Sequence, residues 1–349
     1  MSNPLVAVVI LNWNGKSFLE RFLPGVMEHT PGWVRVVVAD NGSTDDSVSW
    51  LKNAYDGVHV IELPENMGFA GGYNAALEMV DAHYFVLLNS DMEVSPGWIE
   101  PAIDLMENNP GIAACQPKIR SFDRPAYFEY AGASGGYLDQ YGYPFCRGRI
   151  FDTLEQDTGQ YDDPVQIFWA TGACLFIRAD VFRQLSGFDS TFFAHMEEVD
   201  LCWRLHHSGY QVMVCPESVV YHVGAGTLPK SSPKKTFLNF RNSLWMLAKN
   251  LPPGALFRAL LFRTIFDKLA AFRFLFQGQT HDFLAVFKAH VALYRNLKTL
   301  REKAKNIPRK QLPEVIYRRS IVLDYYLRGR KTYSTNFNRE GRKDIGEEH

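Results

Sequence analysis

The chain has 349 residues, 46% of them hydrophobic, which suits one large globular domain with an appendage. Its five cysteines are scattered, with no pair at the spacing of a zinc site or a redox motif, so both are excluded and reduced thiols in a cytosolic protein are expected. The net charge of −1 hides a split: from Lys230 onward there are 25 Lys and Arg against 9 Asp and Glu, and before it 12 against 29. An acidic body and a basic tail point to a tail that meets a surface, membrane or nucleic acid.

The first residues, MSNPLVAVVILNWNG, have no basic leader and only a short apolar run. They read as a first strand rather than a signal peptide. Val6–Leu11, Val34–Ala39, Val58–Leu63 and Tyr84–Leu88 predict four strands, with helices near Lys16–Glu28, Asp46–Asn53 and Gly72–Val80 between them. Apolar runs without polar alternation fit strands buried on both faces of a parallel sheet. Polar punctuation follows three of the strands: Asn12-Trp13-Asn14-Gly15, Asp40-Asn41-Gly42-Ser43 and Asn89-Ser90-Asp91. Open α/β sheets bind ligands at the carboxyl ends of their strands, so the chemistry is expected there.

Residues 92–228 are mixed, with Gly-rich turns from Gly132 to Gly142 and a helix starting near Glu197. From about Thr236 the pattern turns helical and basic, interrupted at Pro252-Pro253-Gly254. Arg258, Arg263, Lys268 and Arg273 break the best candidate for a membrane span. Phe283, Val286, His290, Leu293, Leu297 and Leu300 recur at alternating steps of three and four, a seam for a partner helix or for packing within the chain.

Several segments carry candidate chemistry, and each has an ordinary structural reading. Asp40 can accept from a base N–H, while Ser43, Thr44 and Asp45 equally suit a helix cap. The glycines of Asn66-Met67-Gly68-Phe69-Ala70-Gly71-Gly72-Tyr73-Asn74 and the helix start behind them could face a diphosphate, or form a plain loop. Asn89-Ser90-Asp91 offers carboxylate oxygen to a hard cation whose other ligands come from phosphate and water, or is a turn. Glu197, Glu198 and Asp200 place three acids in four residues. On a helix Glu197 and Asp200 share one face. They suit a general base or an acidic first turn. His222, alone after an apolar strand, reads by itself as structural.

In this order, VVILNWNG, DNGSTDDS, NMGFAGGYNAA, LLNSDMEV, TGACLFIRADVFRQLSGFD, FFAHMEEVDLCWRL and YHVGAGT strongly resemble glycosyltransferase family 2, the inverting GT-A enzymes. The resemblance is closest to rhamnosyltransferase-like members that build bacterial cell-surface polysaccharides, and it covers about residues 5–250. It implies an α/β GT-A fold: a mostly parallel sheet flanked by helices, with a catalytic domain over 1–228 (1–91 for the nucleotide, 92–228 for acceptor and catalysis) and a helical extension over 229–349. It implies that Asp40 reads the pyrimidine beside Leu11 and Asn12, and that Asn66, Gly68 and Asn74 line the donor site. Asn89-Ser90-Asp91 stands at the family's metal motif, with Asn in place of the first Asp. Asp91 and His222 would then hold Mg2+ or Mn2+. Glu198 falls at the position of the base and Glu197 beside it. The segment from Trp169 to Cys174, with Gly172, is expected on the acceptor wall, where Trp169 could stack on a sugar face or equally be a core tryptophan, with Asp200 near them.

The reaction implied is a single displacement from a dTDP- or UDP-linked sugar to a glycan, free or lipid-linked. The alternatives are a sugar nucleotidyltransferase and a non-catalytic nucleotide-sugar or polysaccharide-binding module. The first usually has a Gly-rich basic loop after its first strand, where this chain has Asn12-Trp13-Asn14-Gly15. Nucleic acid is not an expected partner. The tail is expected on an anionic membrane surface at the cytoplasmic face, or in a homo-oligomer through its helices.

Overall fold

The first four apolar runs form strands whose alternate residues enter two different cores. In β1 (Val6–Asn12), Val6, Val8 and Ile10 face one side of the sheet, and Ala7 and Val9 the other. A strand buried on both faces has no use for polar alternation. The computed structural model describes residues 5–224, 232–305, 307 and 312–336.

After β1 come α1 (Lys16–His29), β2 (Val34–Asn41), α2 (Ser47–Ala54), β3 (His59–Leu63), α3 (Gly68–Glu78) and β4 (Tyr84–Asn89). These four strands lie parallel in the order β4-β1-β2-β3. α3 begins at Gly68, four residues before the expected start, so the glycines form its first turn rather than a loop ahead of it.

The sheet continues through β5 (Met92–Val94), α4 (Glu100–Glu107) and β6 (Ile112–Ser121). A small antiparallel sheet follows, built from β7 (Gly136–Leu138), β8 (Pro144–Cys146), β9 (Arg149–Ile150) and β10 (Thr153–Leu154). Then come β11 (Val165–Gln166), β12 (Cys174–Arg178), α5 (Ala179–Gln184), α6 (Glu197–His207) and β13 (Gln211–His222). β12 enters antiparallel between β4 and β6, which makes the large sheet mixed. β13 pairs parallel with β6 and antiparallel with β5, and this brings His222 opposite Met92, next to Asp91.

The extension forms α7 (Pro233–Asn250), α8 (Pro253–Phe276), α9 (Thr280–Ala304), α10 (Ile321–Tyr326) and α11 (Tyr333–Asn336). It does not stand apart from the catalytic body. Leu244, Leu247, Leu293, Tyr317 and Ile321 belong to the same core as Phe168, Trp203 and the small sheet. The seam on α9 is used inside the chain: Val286, Leu293 and Leu300 are buried and α9 lies along α7 and α8. Arg263 is likewise no surface cation, being buried against Asp267. Among the described residues no helix is long and apolar enough to cross a membrane.

Candidate active site

Register alone assembles the first part of the site. Leu11 lies opposite Asn89 and Asn12 opposite Asp40, so the ends of β1, β2 and β4 meet at one edge. Asn12 is fully buried and its Nδ2 donates to Asp40 Oδ1 and Ser47 Oγ, both at 3.0 Å. Asp40 Oδ2 accepts the Ser43 amide at 2.9 Å. Asn12 therefore orients Asp40 from below. Gly15 keeps this edge open, since a Cβ there would lie 2.6 Å from Asn12 Oδ1. The same Cβ would lie 3.6 Å from Ser90 Oγ, so Gly15 lets these two side chains share the edge.

The Asn66–Asn74 segment is placed differently from the expectation. Asn66 Oδ1 accepts the Gly68 amide at 2.9 Å and faces Asn41 Nδ2 at 3.3 Å. Gly68 has φ +73°, and a Cβ on it would strike the Phe193 ring and carbonyl at 2.6–2.8 Å. The Phe193 carbonyl accepts the Phe69 and Ala70 amides at 2.8 and 3.3 Å. The amino end of α3, expected to face a diphosphate, is thus closed by the protein's own backbone. Asn74 donates to the Phe188 carbonyl at 2.8 Å and accepts its amide at 2.9 Å. Both ends of its side chain pin the Gly187-Phe188 turn rather than reaching for a donor.

Asp91 and His222, 131 residues apart in sequence, converge: Asp91 Oδ1 is 3.3 Å from His222 Nε2. On the far side of the ring, Nδ1 lies 3.3 Å from Glu129 Oε2. Burial alone would push the imidazole down, but the two carboxylates override it and raise its pKa to about 10. Two ligands at about 2.1 Å in adjacent octahedral positions stand about 3.0 Å apart, so the Asp91–His222 pair fits one divalent cation that takes the place of the proton. Glu129 then completes the carboxylate–histidine–metal arrangement that orients a ligating ring. Among the described residues no group of three or more His, Cys, Asp or Glu forms a metal cage. The remaining ligands would be phosphate and water.

The acid cluster opens α6 after an unusual turn. Phe193, His195 and Met196, none of them glycine, have φ of 67–71°. Such conformations persist only where the surroundings hold them. Here Asn242 of α7 holds them, its Nδ2 donating to the carbonyls of Phe192, Ala194 and His195 at 3.0, 2.8 and 2.7 Å. Glu197 is buried and Glu198 half-buried, and each has one carboxylate oxygen without a partner. Burial raises both carboxyl groups above the ordinary range, and their mutual repulsion raises Glu197 further. His195, half-buried near Lys235, is pushed down to about 4 by desolvation and by that cation, and stays neutral. Gly172 brings the β12 approach next to Glu198, since a Cβ on it would lie 3.9 Å from the Glu198 Cβ and 2.9 Å from the Phe69 ring.

Two residues expected at the acceptor are elsewhere. Asp200 is fully buried, with Lys249 Nζ and Asn250 Nδ2 at 2.9 Å and Arg204 Nε at 3.0 Å. Its charge is spent on fastening α6 to α7. Trp169 is a core residue whose Nε1 donates to the Tyr137 carbonyl at 2.9 Å. It packs so closely on Gly136 that a Cβ there would lie 2.1 Å from its ring. Sequence reasoning missed Glu129, which no spacing signals, and Asn242. For Asn242 there was a weak signal, because Asn is a poor helix former in the middle of an apolar helix.

This mixed sheet flanked by helices, with Asp40 at the end of β2, the Asp91–His222 pair beyond β4 and Glu197 and Glu198 opening α6, has the GT-A fold. The family model for Glycosyl transferase family 2 matches residues 7–185, just over half of the chain, and the chain belongs to that family. It is a glycosyltransferase. It is 27% identical over 232 residues to the N-acetylglucosaminyl-diphospho-decaprenol L-rhamnosyltransferase of Mycobacterium tuberculosis, covering 62% of this chain and 76% of that one. It is 28% identical to the pre-mycofactocin glycosyltransferase of the same organism, over 62% of this chain and 42% of that one. Among solved structures, GalNAc-T7 with UDP, GalNAc and Mn2+ superposes with TM-score 0.57 at 16% identity, over 72% of this chain and 48% of that one. The mannosyltransferase PcManGT of Pyrobaculum calidifontis, with GDP-Man and Mn2+, gives 0.51 at 13% identity over 99% and 85%. At such identities the structures speak for the fold alone.

Proposed function

We propose that this enzyme moves a sugar, with inversion, from a dTDP- or UDP-linked donor to a lipid-linked glycan in cell-surface polysaccharide synthesis. The observation that supports the reading is the pairing of Asp91 with His222 at the strand edge that also holds Asp40, with Glu198 next to Gly172 just before β12. Asp40, held by Asn12, is the acceptor for a pyrimidine N–H, with Leu11 and Asn66 beside it. Asn89, Ser90 and Asp91 flank the diphosphate. Asp91 and His222 would hold Mg2+ or Mn2+, which supplies positive charge to the departing diphosphate. Glu198 is the base: it takes the proton of the acceptor hydroxyl as that oxygen attacks the anomeric carbon and the nucleoside diphosphate leaves. Its half-exposed position beside Gly172 supports Glu198 over the more buried Glu197. Inversion turns a β-linked donor such as dTDP-rhamnose into an α-linked product, and an α-linked donor into a β-linked one. The rhamnosyltransferase relative, whose name gives a polyprenyl-diphosphate acceptor, supports a membrane-presented acceptor at the cytoplasmic face. The test is release of nucleoside diphosphate from a panel of dTDP- and UDP-sugars with and without Mn2+, followed by NMR of the product anomer. Release by one donor class only with metal is expected. A retained anomeric configuration, or full activity in chelator, overturns the reading.

A further inference from the structure

The long helix α8 is turned inside out relative to an ordinary surface helix. Its ion pair points inward: Arg263 Nε is 2.9 Å from Asp267 Oδ1, and Arg263 Nη2 donates to Ser243 Oγ at 2.8 Å. Asp267 also meets the Tyr143 hydroxyl at 2.8 Å and His290 Nε2 at 3.0 Å. Ala259 and Ala271 complete this buried face. The solvent side carries Phe257, Leu261, Ile265, Leu269, Phe272 and Phe276, between 44% and 87% exposed. At 100° per residue these six fall within an arc of about 120°. Large apolar residues gathered on one exposed face mark a contact surface rather than scattered surface hydrophobes.

The charges on this face say what covers it. Arg258 and Lys268 are exposed within the same arc, and the only acid of α8, Asp267, is on the buried side. Arg273 donates to the Tyr326 hydroxyl at 3.2 Å, so exposed Tyr326 and Leu327 extend the patch at the end of the helix. A second copy across a two-fold axis would bring Arg258 and Lys268 against a face of α8 that carries no carboxylate of its own, the exposed Asp152 lying only at the helix end beside Arg273. Apolar side chains interleaved with long cations instead fit the boundary between acyl chains and anionic headgroups, where the cations snorkel outward. We infer that the outer face of α8 lies in the surface of an anionic bilayer, inserting its aromatic and aliphatic row while Arg258 and Lys268 engage lipid phosphates.

This deepens the membrane-presented acceptor proposed above and rests on it for its purpose, yet contact with lipid can be read without any sugar transfer. The full chain is floated with vesicles of phosphatidylcholine, with and without phosphatidylglycerol. Binding to the anionic vesicles is expected. The variant Leu261→Glu/Ile265→Glu/Leu269→Glu should bind them roughly tenfold more weakly or worse, with little change in melting temperature and unchanged donor cleavage in solution, because these side chains are more than half exposed and lie outside the buried core. Arg258→Gln/Lys268→Gln should lose the preference for anionic lipid. Ile265→Trp should show blue-shifted emission on adding vesicles. Wild-type flotation of the triple Glu variant overturns the inference. So does a lipid-free wild-type dimer that the triple Glu variant converts to monomer while the wild type ignores vesicles; the face would then belong to a second copy. Failure of donor cleavage in the wild type would count against the enzymatic reading and leave the flotation result standing.

Discussion

Glu198 carries the sharpest chemical demand at the level of single residues. A base buried enough to have a raised pKa is a better proton acceptor, but only above that pKa. Burial favours its neutral form, so activity should rise with pH through a limb displaced above the ordinary glutamate value of about 4.3. Glu198→Gln keeps the shape and should lower transfer by roughly 10²–10⁴-fold, with donor binding retained and the acid limb gone. If Glu197→Gln is the dead variant and Glu198→Gln transfers normally, the assignment within the pair is reversed. Glu129 makes a different prediction. It touches His222 Nδ1 and acts on a cation only through that ring. Glu129→Gln should weaken Mn2+ binding by about 10–100-fold, read by calorimetry without donor or acceptor. Unchanged Mn2+ affinity would make Glu129 a packing residue.

Helices and strands show what the sequence could and could not convey. Strand runs such as Val6–Leu11 and Tyr84–Leu88 were legible because burial on both faces writes a continuous apolar string, and the strand ends then located Asp40 and Asp91. The Asp91–His222 meeting was not legible from spacing, since it depends on β13 pairing with β5 across the sheet. It came from resemblance to the family. The sequence misplaces Asp200 and leaves Trp169 open between stacking and core, because an acid near an acid pair, or a Trp near a Gly, looks the same whether it faces a cleft or a core. Only Lys249 and Asn250, fifty residues on, decide the matter for Asp200. That link is testable. Burial alone would raise Asp189 and Asp200, but Lys249 beside both keeps them below the usual range. Their contribution to stability is present above the unfolded carboxylate value of about 3.9 and is lost as pH falls through the depressed folded values. Lys249→Met removes the buried cation that the two carboxylates share, leaving Asp200 to Arg204 and Asp189 to Lys303, and should cost up to about 3–5 kcal/mol near neutral pH. The gap to wild type should narrow in acid, where both carboxylates protonate anyway. A gap independent of pH would mean that Lys249 acts by packing alone.

For the whole molecule, the composition suggests an acidic body with a basic tail, and in the structure the described helices of that tail pack into the body. α7 holds the strained turn before Glu198 through Asn242, and α9 reaches the same region through Lys303 and Asp189, 2.6 Å apart. Beyond α7 the small sheet depends on the extension as well. Tyr141 stacks on Phe262 with ring centres 3.7 Å apart, and buried Asp139 accepts the Ile321 amide at 3.1 Å. Leu293, Leu300, Ile316 and Tyr317 fill one core with Phe145 and Tyr137. Removing residues 251–349 would open that core, and truncating even one large buried side chain typically costs about 2–5 kcal/mol, against a total stability of roughly 5–15 kcal/mol. The truncated chain is therefore expected to aggregate or to lack a cooperative melt, and to lose donor cleavage with it. Asn242→Ala tests the same coupling without deleting anything. It should lower kcat and shift the acid limb of the pH profile, because the turn that aims Glu198 loses three hydrogen bonds, while leaving Mn2+ binding at Asp91 and His222 unchanged. A soluble, cooperatively melting 1–250 fragment that still cleaves donor would show instead that the catalytic body stands alone and that the extension only covers it.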